Sequence, residues 1–307
     1  MTRAKMAAAT WRQLLGKTIE VLGEPAAARW LLEQASGLSA ARLITDLDDE
    51  APPAAVERLS SMLQRCASGE PLQYVLGHWG FRELDVLVDR RVLVPRPETE
   101  FVVGIALLEL DRATLLANRA RELTVVPREP TGGAELLVAD LGTGSGVIAL
   151  SVVTEREGVR VVASERDQDA LDVARANLAA LGAGMAARVL LCQGDWYQAL
   201  PIDLMGRFDM IVTNPPYVAQ DEWGGLEAKV RDYEPYGALV PGPTGLEAIE
   251  EIVAGAPTWL NSTGVLVVEL APCQAQAATA LAKGAGLCEV RVESDLVGRP
   301  RALVARR

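Results

Sequence analysis

Apolar residues in the first part of the chain recur every three or four positions. "TWRQLLGKTIEVLG", "EPAAARWLLEQASG", "SAARLITDL" and "PPAAVERLSSMLQRCASG" each carry that spacing and end near Gly or Asp, which predicts a small helical bundle over residues 1–70. The period then changes. "PLQYVLGHWGFRELDVLVDRRVLVPRPETE" contains "FRELDVLV", which alternates roughly in twos, so residues 71–95 read as a linker hairpin between two domains. Pro97 suits the first turn of the next helix, "ETEFVVGIALLEL", and Glu98 and Glu100 favour its positive end. "DRATLLANRARELTVVPREPTGG" reads as a helix end followed by a loose surface loop.

From about residue 134 strand and helix alternate. "ELLVADLG" precedes a glycine-rich turn, "VRVVASE" precedes "DALDVARANLAAL", and "ARVLLCQGD" and "RFDMIVTNPP" follow. The helix "GLEAIEEIVAGAPTWL", the strand "GVLVVEL", the helix "CQAQAATALAKGAG" and the strands "CEVRVES" and "RALVARR" complete the series. Such alternation predicts an α/β domain over 96–307, built on a mostly parallel, doubly wound sheet with helices on both faces. The last two strands lie a short turn apart and are expected to pair antiparallel at its edge.

Composition narrows the function classes. Half of the 307 residues are hydrophobic, enough for a sizeable core, and no run of eighteen apolar residues occurs. The start "MTRAKMAAATWRQLLG" turns polar too soon for a secretory signal, so the expected location is the cytoplasm, with no membrane partner. Cys66, Cys192, Cys273 and Cys288 show no C-x-x-C spacing and His78 is the only histidine, which excludes the usual zinc and histidine acid–base schemes. No metal is expected. A formal charge of −11 argues against direct nucleic-acid binding, leaving a protein or small molecule as the easier substrate.

"VADLGTGSGVIAL" places Asp140 at a strand end and Gly142, Thr143, Gly144, Ser145 and Gly146 in the turn that opens a helix. Glycine there tolerates positive φ and lets a ligand approach the backbone. Glu165 ends the next strand, at the interval where a doubly wound fold sets an acid on a ribose diol. Gly194-Asp195-Trp196 ends the third, offering a polar edge and an aromatic face to an adenine ring. The three strand ends converge on a nucleoside, although Glu165 also fits a solvated helix start and Trp196 a core aromatic. NAD and S-adenosylmethionine both contain adenosine. Val147 stands where the dinucleotide pattern needs its third glycine, and Asp140 suits a cationic methionine group better than a pyrophosphate, so methyl transfer gains.

"VTNPPYVA" ends the fourth strand at the same carboxyl edge. Two prolines stiffen that exit, so the Asn214 amide and the Pro215 carbonyl can act as two acceptors aimed at one –NH₂ group, with Pro216 completing the turn and Tyr217 offering a flat stacking face. A planar –NH₂ is a poor nucleophile because its lone pair is delocalised. Two acceptors fix both N–H bonds and stabilise the positive charge that grows as a methyl group arrives. Asn214 and Pro215 are therefore the expected catalytic groups. The alternative is a turn that only terminates a strand.

"DLGTGSG" with "NPPY" resembles the class I, Rossmann-like methyltransferases that act on exocyclic or amide nitrogen. "PLQYVLG", "VLVPRPETE", "GDW", "YEPYGAL" and "DLVGRPR" make the chain similar to the HemK/PrmC family of protein-(glutamine-N5) methyltransferases, almost to residue 307. The resemblance implies that S-adenosylmethionine is the donor, S-adenosylhomocysteine the product, and the glutamine of the Gly-Gly-Gln motif of peptide-chain release factors the substrate. It implies donor contacts from Gly142 to Gly146, Glu165, Trp196 and Asn214, and a substrate grip from Asn214, Pro215, Pro216 and Tyr217. Arg96 to Glu100 would sit beside the pocket, the helical domain would dock the partner, and a monomer is expected. Glu165 stands where the family usually has Asp, "VPGPTGLEA" replaces a Gly-x-Asp-Gly-Leu sequence, and Pro300 stands where a charged residue is common. Rival readings are an enzyme acting on adenine or guanine amino groups of nucleic acid, or on another protein glutamine, a non-catalytic sensor of the methyl donor, and a nicotinamide dehydrogenase.

Overall fold

Capping explains where the first helices begin and end. Thr10 and Gln13 form a reciprocal capping box on α1 (Trp11–Leu22), and Gly23 closes it in the left-handed region. Pro25 starts α2 (Pro25–Ser36), Ser39 caps α3 (Ala40–Thr45), and α4 (Pro53–Ala67) and α5 (Leu72–Leu76) follow. Their apolar stripes meet around Trp11, Leu31, Leu32 and Leu59, all buried. A bidentate pair from Arg65 to Glu70, at 2.8 and 2.9 Å, ties the end of α4 to the turn before α5.

The computed structural model describes residues 9–123 and 135–307. In it the chain divides into two compact units, one holding the chain up to His78 with Glu227–Tyr233, the other Trp79–Leu226 with Glu234–Arg307. The sequence pattern sets the helical segment's end near residue 70; α5 carries it further, and the excursion 227–233 has no sequence signal of its own. That excursion is fastened within the helical unit by the Tyr233 hydroxyl, which donates to the Ser68 carbonyl at 2.7 Å.

The alternating stretch forms a hairpin of β1 (His78–Phe81) and β2 (Leu84–Leu87), turning at Arg82 with φ +50°. Then come α6 (Pro97–Leu123), β3 (Leu136–Leu141), α7 (Val147–Glu155), β4 (Val159–Glu165), α8 (Gln168–Ala180), α9 (Ala183–Ala186) and β5 (Val189–Gln193). After β6 (Phe208–Thr213) follow α10 (Ala228–Arg231), α11 (Glu247–Trp259), β7 (Leu260–Glu269), α12 (Ala275–Gly284), β8 (Cys288–Ser294) and β9 (Pro300–Arg306). The loop expected after α6 lies mostly outside the described residues.

The strands form one seven-stranded sheet, ordered β5-β4-β3-β6-β7-β9-β8. The first five are parallel, β9 runs antiparallel to β7, and β8 pairs antiparallel with β9 at the edge, as the short final turn requires. Alternate residues face opposite sides of a strand, so Ala139, Leu141, Ile211, Leu266 and Val268 join Ile249, Ile252 and Val253 of α11 and Ala278 and Ala282 of α12 in one core. Val138, Met210, Val212 and Val267, of the other parity, are equally buried, so the strands read as near-continuous apolar runs. Among the described residues, no helix is long and apolar enough to cross a membrane.

The order reverses at β3, whose neighbours are β4 and β6. This switch point opens a crevice beyond the carboxyl ends of the strands, where ligands bind in open α/β sheets.

Packing beneath the sheet leaves no room at Gly255 of α11, where a Cβ would meet Tyr197 Cε2 at 2.4 Å. The ring cannot yield readily: it stacks on Trp259 with centroids 5.9 Å apart, and its hydroxyl donates to the Ile252 carbonyl at 2.6 Å. Gly255→Ala is expected to destabilise the protein by about 1–3 kcal/mol, the usual cost of overpacking. The shift of the urea unfolding midpoint measures it.

Candidate active site

β3 and β6 bring the two sequence constellations together. Their register pairs Asp140 with Val212 and Leu141 with Thr213, and the Thr213 hydroxyl donates to the Leu141 carbonyl at 2.6 Å. The next residues, Gly142 and Asn214, therefore leave the sheet side by side. Both line a cavity of about 1060 Å³ including its open mouth. Thr143, Gly144, Ser145, Glu165, Trp196 and Pro216 line it too, as do Arg96 and Thr99.

The glycine turn is anchored from below. Gly142 and Thr143 donate their amides to the Ser164 carbonyl, each at 2.9 Å, and Gly142 and Gly144 have φ of +71° and +56°. A Cβ on Gly144 would meet nothing within 4 Å, so the space over its backbone belongs to the cavity. Over Gly142 the Trp196 ring closes in, 2.8 Å from where a Cβ would stand. Trp196 has φ +36°, a strained value for a bulky residue, held by the 3₁₀ turn that follows β5.

Glu165 bridges the glycine turn to the start of α8. Its Oε2 accepts from the Gly144 amide at 2.9 Å and its Oε1 from the Asp167 amide at 3.0 Å. A carboxylate has about four acceptor positions, so both oxygens keep capacity for a ligand hydroxyl. Burial raises its pKa, while those backbone bonds oppose the shift.

Asp140 lies behind the turn rather than on the cavity wall. Its Oδ2 accepts from the Thr143 hydroxyl at 2.6 Å and the Ala149 amide at 3.1 Å; its Oδ1 has no partner among the described residues. Complete burial pushes its pKa up to about 7 against those two bonds, and the Glu165 charge adds to the rise.

The Asn-Pro-Pro-Tyr turn is fixed at several points. Asn214 Nδ2 donates to the Thr99 hydroxyl at 3.0 Å, which leaves Oδ1 as the acceptor end of the amide. Pro215 is buried, and neither it nor Tyr217 contributes to the cavity wall. The Tyr217 carbonyl accepts from Gln274 Nε2 at 3.0 Å, and burial, with the charge of Glu269, raises its hydroxyl's pKa. Arg96 pairs at 2.5 Å with buried Glu234, whose other oxygen accepts from the Val94 amide at 3.3 Å.

Two residues, Asn177 and Glu269, escape sequence reasoning, and a third, Thr99, is reached only as part of Arg96 to Glu100, with no role of its own. Thr99 lies inside "PRPETE", one residue after Glu98. Asn177 interrupts the buried face of α8, where its amide bonds the Ser145 carbonyl at 2.8 Å and both polar groups of Leu87. Glu269 ends the apolar strand β7 fully buried. An acid closing an otherwise apolar strand at the ligand edge, and an Asn on a buried helix face, are the signals that could have found two of them. Among the described residues, no group of three or more His, Cys, Asp or Glu could hold a metal ion.

The chain matches a model of the PrmC N-terminal domain over residues 9–77 and of the methyltransferase small domain over residues 123–226. A release factor glutamine methyltransferase of Xylella fastidiosa (strain 9a5c) is 38% identical over 276 residues, 90% of either chain. One of Moorella thermoacetica is 38% identical over 306 residues, covering 97% of this chain and 99% of that one. Among solved structures, the hMettl16 catalytic domain in complex with a MAT2A 3'UTR hairpin aligns at a TM-score of 0.53. Its 14% identity, over 82% of this chain and 81% of that one, marks a likeness of fold alone.

Asp140 gives the ligand-free protein a distinct pH response. Between about pH 4 and its folded value of about 7, the folded chain holds a proton that the unfolded chain has released, so its share of stability is full below about pH 4 and is lost as pH rises. Asp140→Asn keeps the shape and is expected to remove up to one proton's worth of that slope, on the order of a few kcal/mol across the window. Urea midpoints of both proteins from pH 4 to pH 8 check it.

Proposed function

The chain belongs to the release factor glutamine methyltransferase family, and we propose that it transfers a methyl group from S-adenosylmethionine to the side-chain nitrogen N5 of the Gly-Gly-Gln glutamine of peptide-chain release factors. The observation that carries the reading is the juxtaposition at the β3–β6 edge. A backbone cradle for a nucleoside-bearing donor and the fixed amide of Asn214 face one cavity.

The cradle suits this donor. The open backbone over Gly144, the acceptors of Glu165 and the Trp196 ring offer a close surface, a ribose grip and an apolar wall. Above about pH 7, where Asp140 is ionised, it adds negative charge behind the turn, which favours a cationic ligand. When bound, S-adenosylmethionine supplies an electrophilic methyl group on a sulfonium.

The residues of the turn do the rest. Asn214 Oδ1, on the cavity wall, is assigned as one acceptor for the N–H bonds of the glutamine amide and the Pro215 carbonyl, from the residue just behind that wall, as the other, turning its nitrogen toward the donor side of the cavity. Charge that develops on nitrogen is met by two oriented dipoles. No strong base is required, because the methylated nitrogen becomes far more acidic than the amide before it sheds its proton. Pro216 stiffens the turn, and Tyr217, held behind the wall, supports it from the side away from the cavity.

We further assign docking of the release factor to the helical unit. The match of that unit to the PrmC N-terminal domain supports this assignment, as does the chain's return to it at Glu227–Tyr233, soon after the turn that would hold the glutamine.

Purified release factor and labelled donor test the reading. Wild-type protein is expected to label the factor, and a factor with that glutamine replaced by alanine is expected to take up no label. Equal labelling of the two would overturn the proposal. Asn214→Ala is expected to lower kcat by about 100- to 1000-fold, the usual cost of removing one oriented dipole from a reacting centre, while donor binding by calorimetry persists. Glu165→Ala, by contrast, is expected to weaken donor binding about tenfold or more.

A further inference from the structure

The Asn214 amide does its proposed work only if its oxygen, not its nitrogen, meets the substrate –NH₂. Nothing in the Asn-Pro-Pro-Tyr turn itself selects that orientation. The selection comes from Thr99, buried in the first turn of α6, whose hydroxyl accepts the Asn214 Nδ2 proton at 3.0 Å. A hydroxyl that accepts on one side still has a proton to place on the other.

Glu269 is placed to receive it. Thr213 pairs with Val268 across β6 and β7, so Asn214 and Glu269 are the next residues on adjacent strands. The Glu269 side chain is fully buried, and neither of its oxygens has a hydrogen-bond partner among the described residues. Its arginine neighbours are engaged elsewhere: Arg96 with Glu234 at 2.5 Å, and Arg301 with Glu98 at 3.2 Å and Asp295 at 3.4 Å. A buried carboxylate left so is costly unless it serves another group.

We propose that Glu269 and Thr99 are positioning residues for Asn214: the carboxylate takes the Thr99 hydroxyl proton, Thr99 takes an Asn214 Nδ2 proton, and Asn214 Oδ1 is kept toward the substrate nitrogen. This inference rests on the amide-methylating function proposed above. It makes the orientation depend on the charge of Glu269. When Glu269 is ionised, Thr99 can only donate to it and accept from Asn214. When Glu269 is protonated it can donate to Thr99, whose own proton is then free to turn to Asn214 and flip the amide.

Several groups face this carboxylate. Burial pushes its pKa up to about 7, the neighbouring Thr99 hydroxyl opposes that rise, Glu98 of α6 adds to it, and Arg301 of β9 and Arg96 oppose it. Tyr217 is the fourth charged or titratable neighbour, from the turn after β6. Activity is therefore expected to rise as pH increases through about 7, with Glu269 active in its basic form.

The test combines kinetics with a measurement on the ligand-free protein. Thr99→Val is expected to lower kcat roughly tenfold or more while donor affinity holds, and Thr99→Ser to recover most of the loss. Glu269→Gln is expected to lower kcat and remove the activity limb near pH 7; any limb due to Asp140 persists in that variant. Carbon-13 NMR of the labelled Glu269 carboxyl reads its titration midpoint without substrate or donor, and Thr99→Val is expected to move that midpoint upward. Wild-type kcat in Thr99→Val, or a Glu269 midpoint that Thr99→Val leaves unmoved, would overturn the relay. Wild-type protein inactive on release factor would instead count against the proposed function, with the NMR titration still deciding the relay.

Discussion

The site depends on one hydrogen bond between neighbouring parallel strands. The Thr213 hydroxyl donates to the Leu141 carbonyl at 2.6 Å, at the last paired position of β3 and β6. A strand end has carbonyls without ladder partners, and a buried one must find a donor. By supplying it from a side chain, β6 locks its own exit to that of β3. The glycine turn and the Asn-Pro-Pro-Tyr turn then start one residue beyond a common anchor, on elements whose far sides are buried in apolar core. Two loops placed independently on the surface would not keep Gly142 and Asn214 side by side on one cavity wall.

Concentrating polar groups at that edge has a cost. Asp140 and Glu269 are carboxylates with no exposed surface, and three of their four oxygens lack hydrogen-bond partners among the described residues. Trp196 holds a strained positive φ against Gly142. Each feature disfavours the folded chain by itself: Trp196 lines the cavity, Asp140 stands two residues before Gly142 on its wall, and Glu269 ends the strand beside the one that leads to Asn214. The buried strands and the cluster under α11 and α12 carry the compensating apolar burial, far from the polar edge. Unsatisfied and strained groups gathered around one cavity mark where function has outweighed stability.

Most of the fold was legible because its signals are periodic. Alternating strand and helix patterns from residue 134 announced the parallel sheet, the short gap between the last strands announced the antiparallel edge, and helical spacing announced the N-terminal bundle. The glycine turn and Asn-Pro-Pro-Tyr stood out because their residue types are poor choices for plain strand exits, and both reach the same cavity. What stayed hidden was pairing across the chain. Thr99 and Asn214 are separated by 115 positions and Asn177 and Leu87 by 90, and no local pattern links them. Asp140 was read as facing the ligand; strand parity instead turns it beneath the loop, where the Thr143 hydroxyl and the Ala149 amide take it up.

The excursion at Glu227–Tyr233 shows how a chain can serve two units without loosening the site. The segment leaves the sheet-bearing unit and re-enters it at Glu234. Both ends are secured inside that unit. Trp223, before the departure, meets Tyr236, after the return, edge-on with ring centroids 4.8 Å apart. Val218 and Gln220 donate their amides to the Leu239 and Gly242 carbonyls, at 2.9 and 3.1 Å. Glu234 is then gripped by Arg96 and the Val94 amide on the segment that leads to Thr99. The loop is closed where it matters: whatever the helical unit engages, the strand exit, Arg96 and Thr99 belong to one hydrogen-bonded frame.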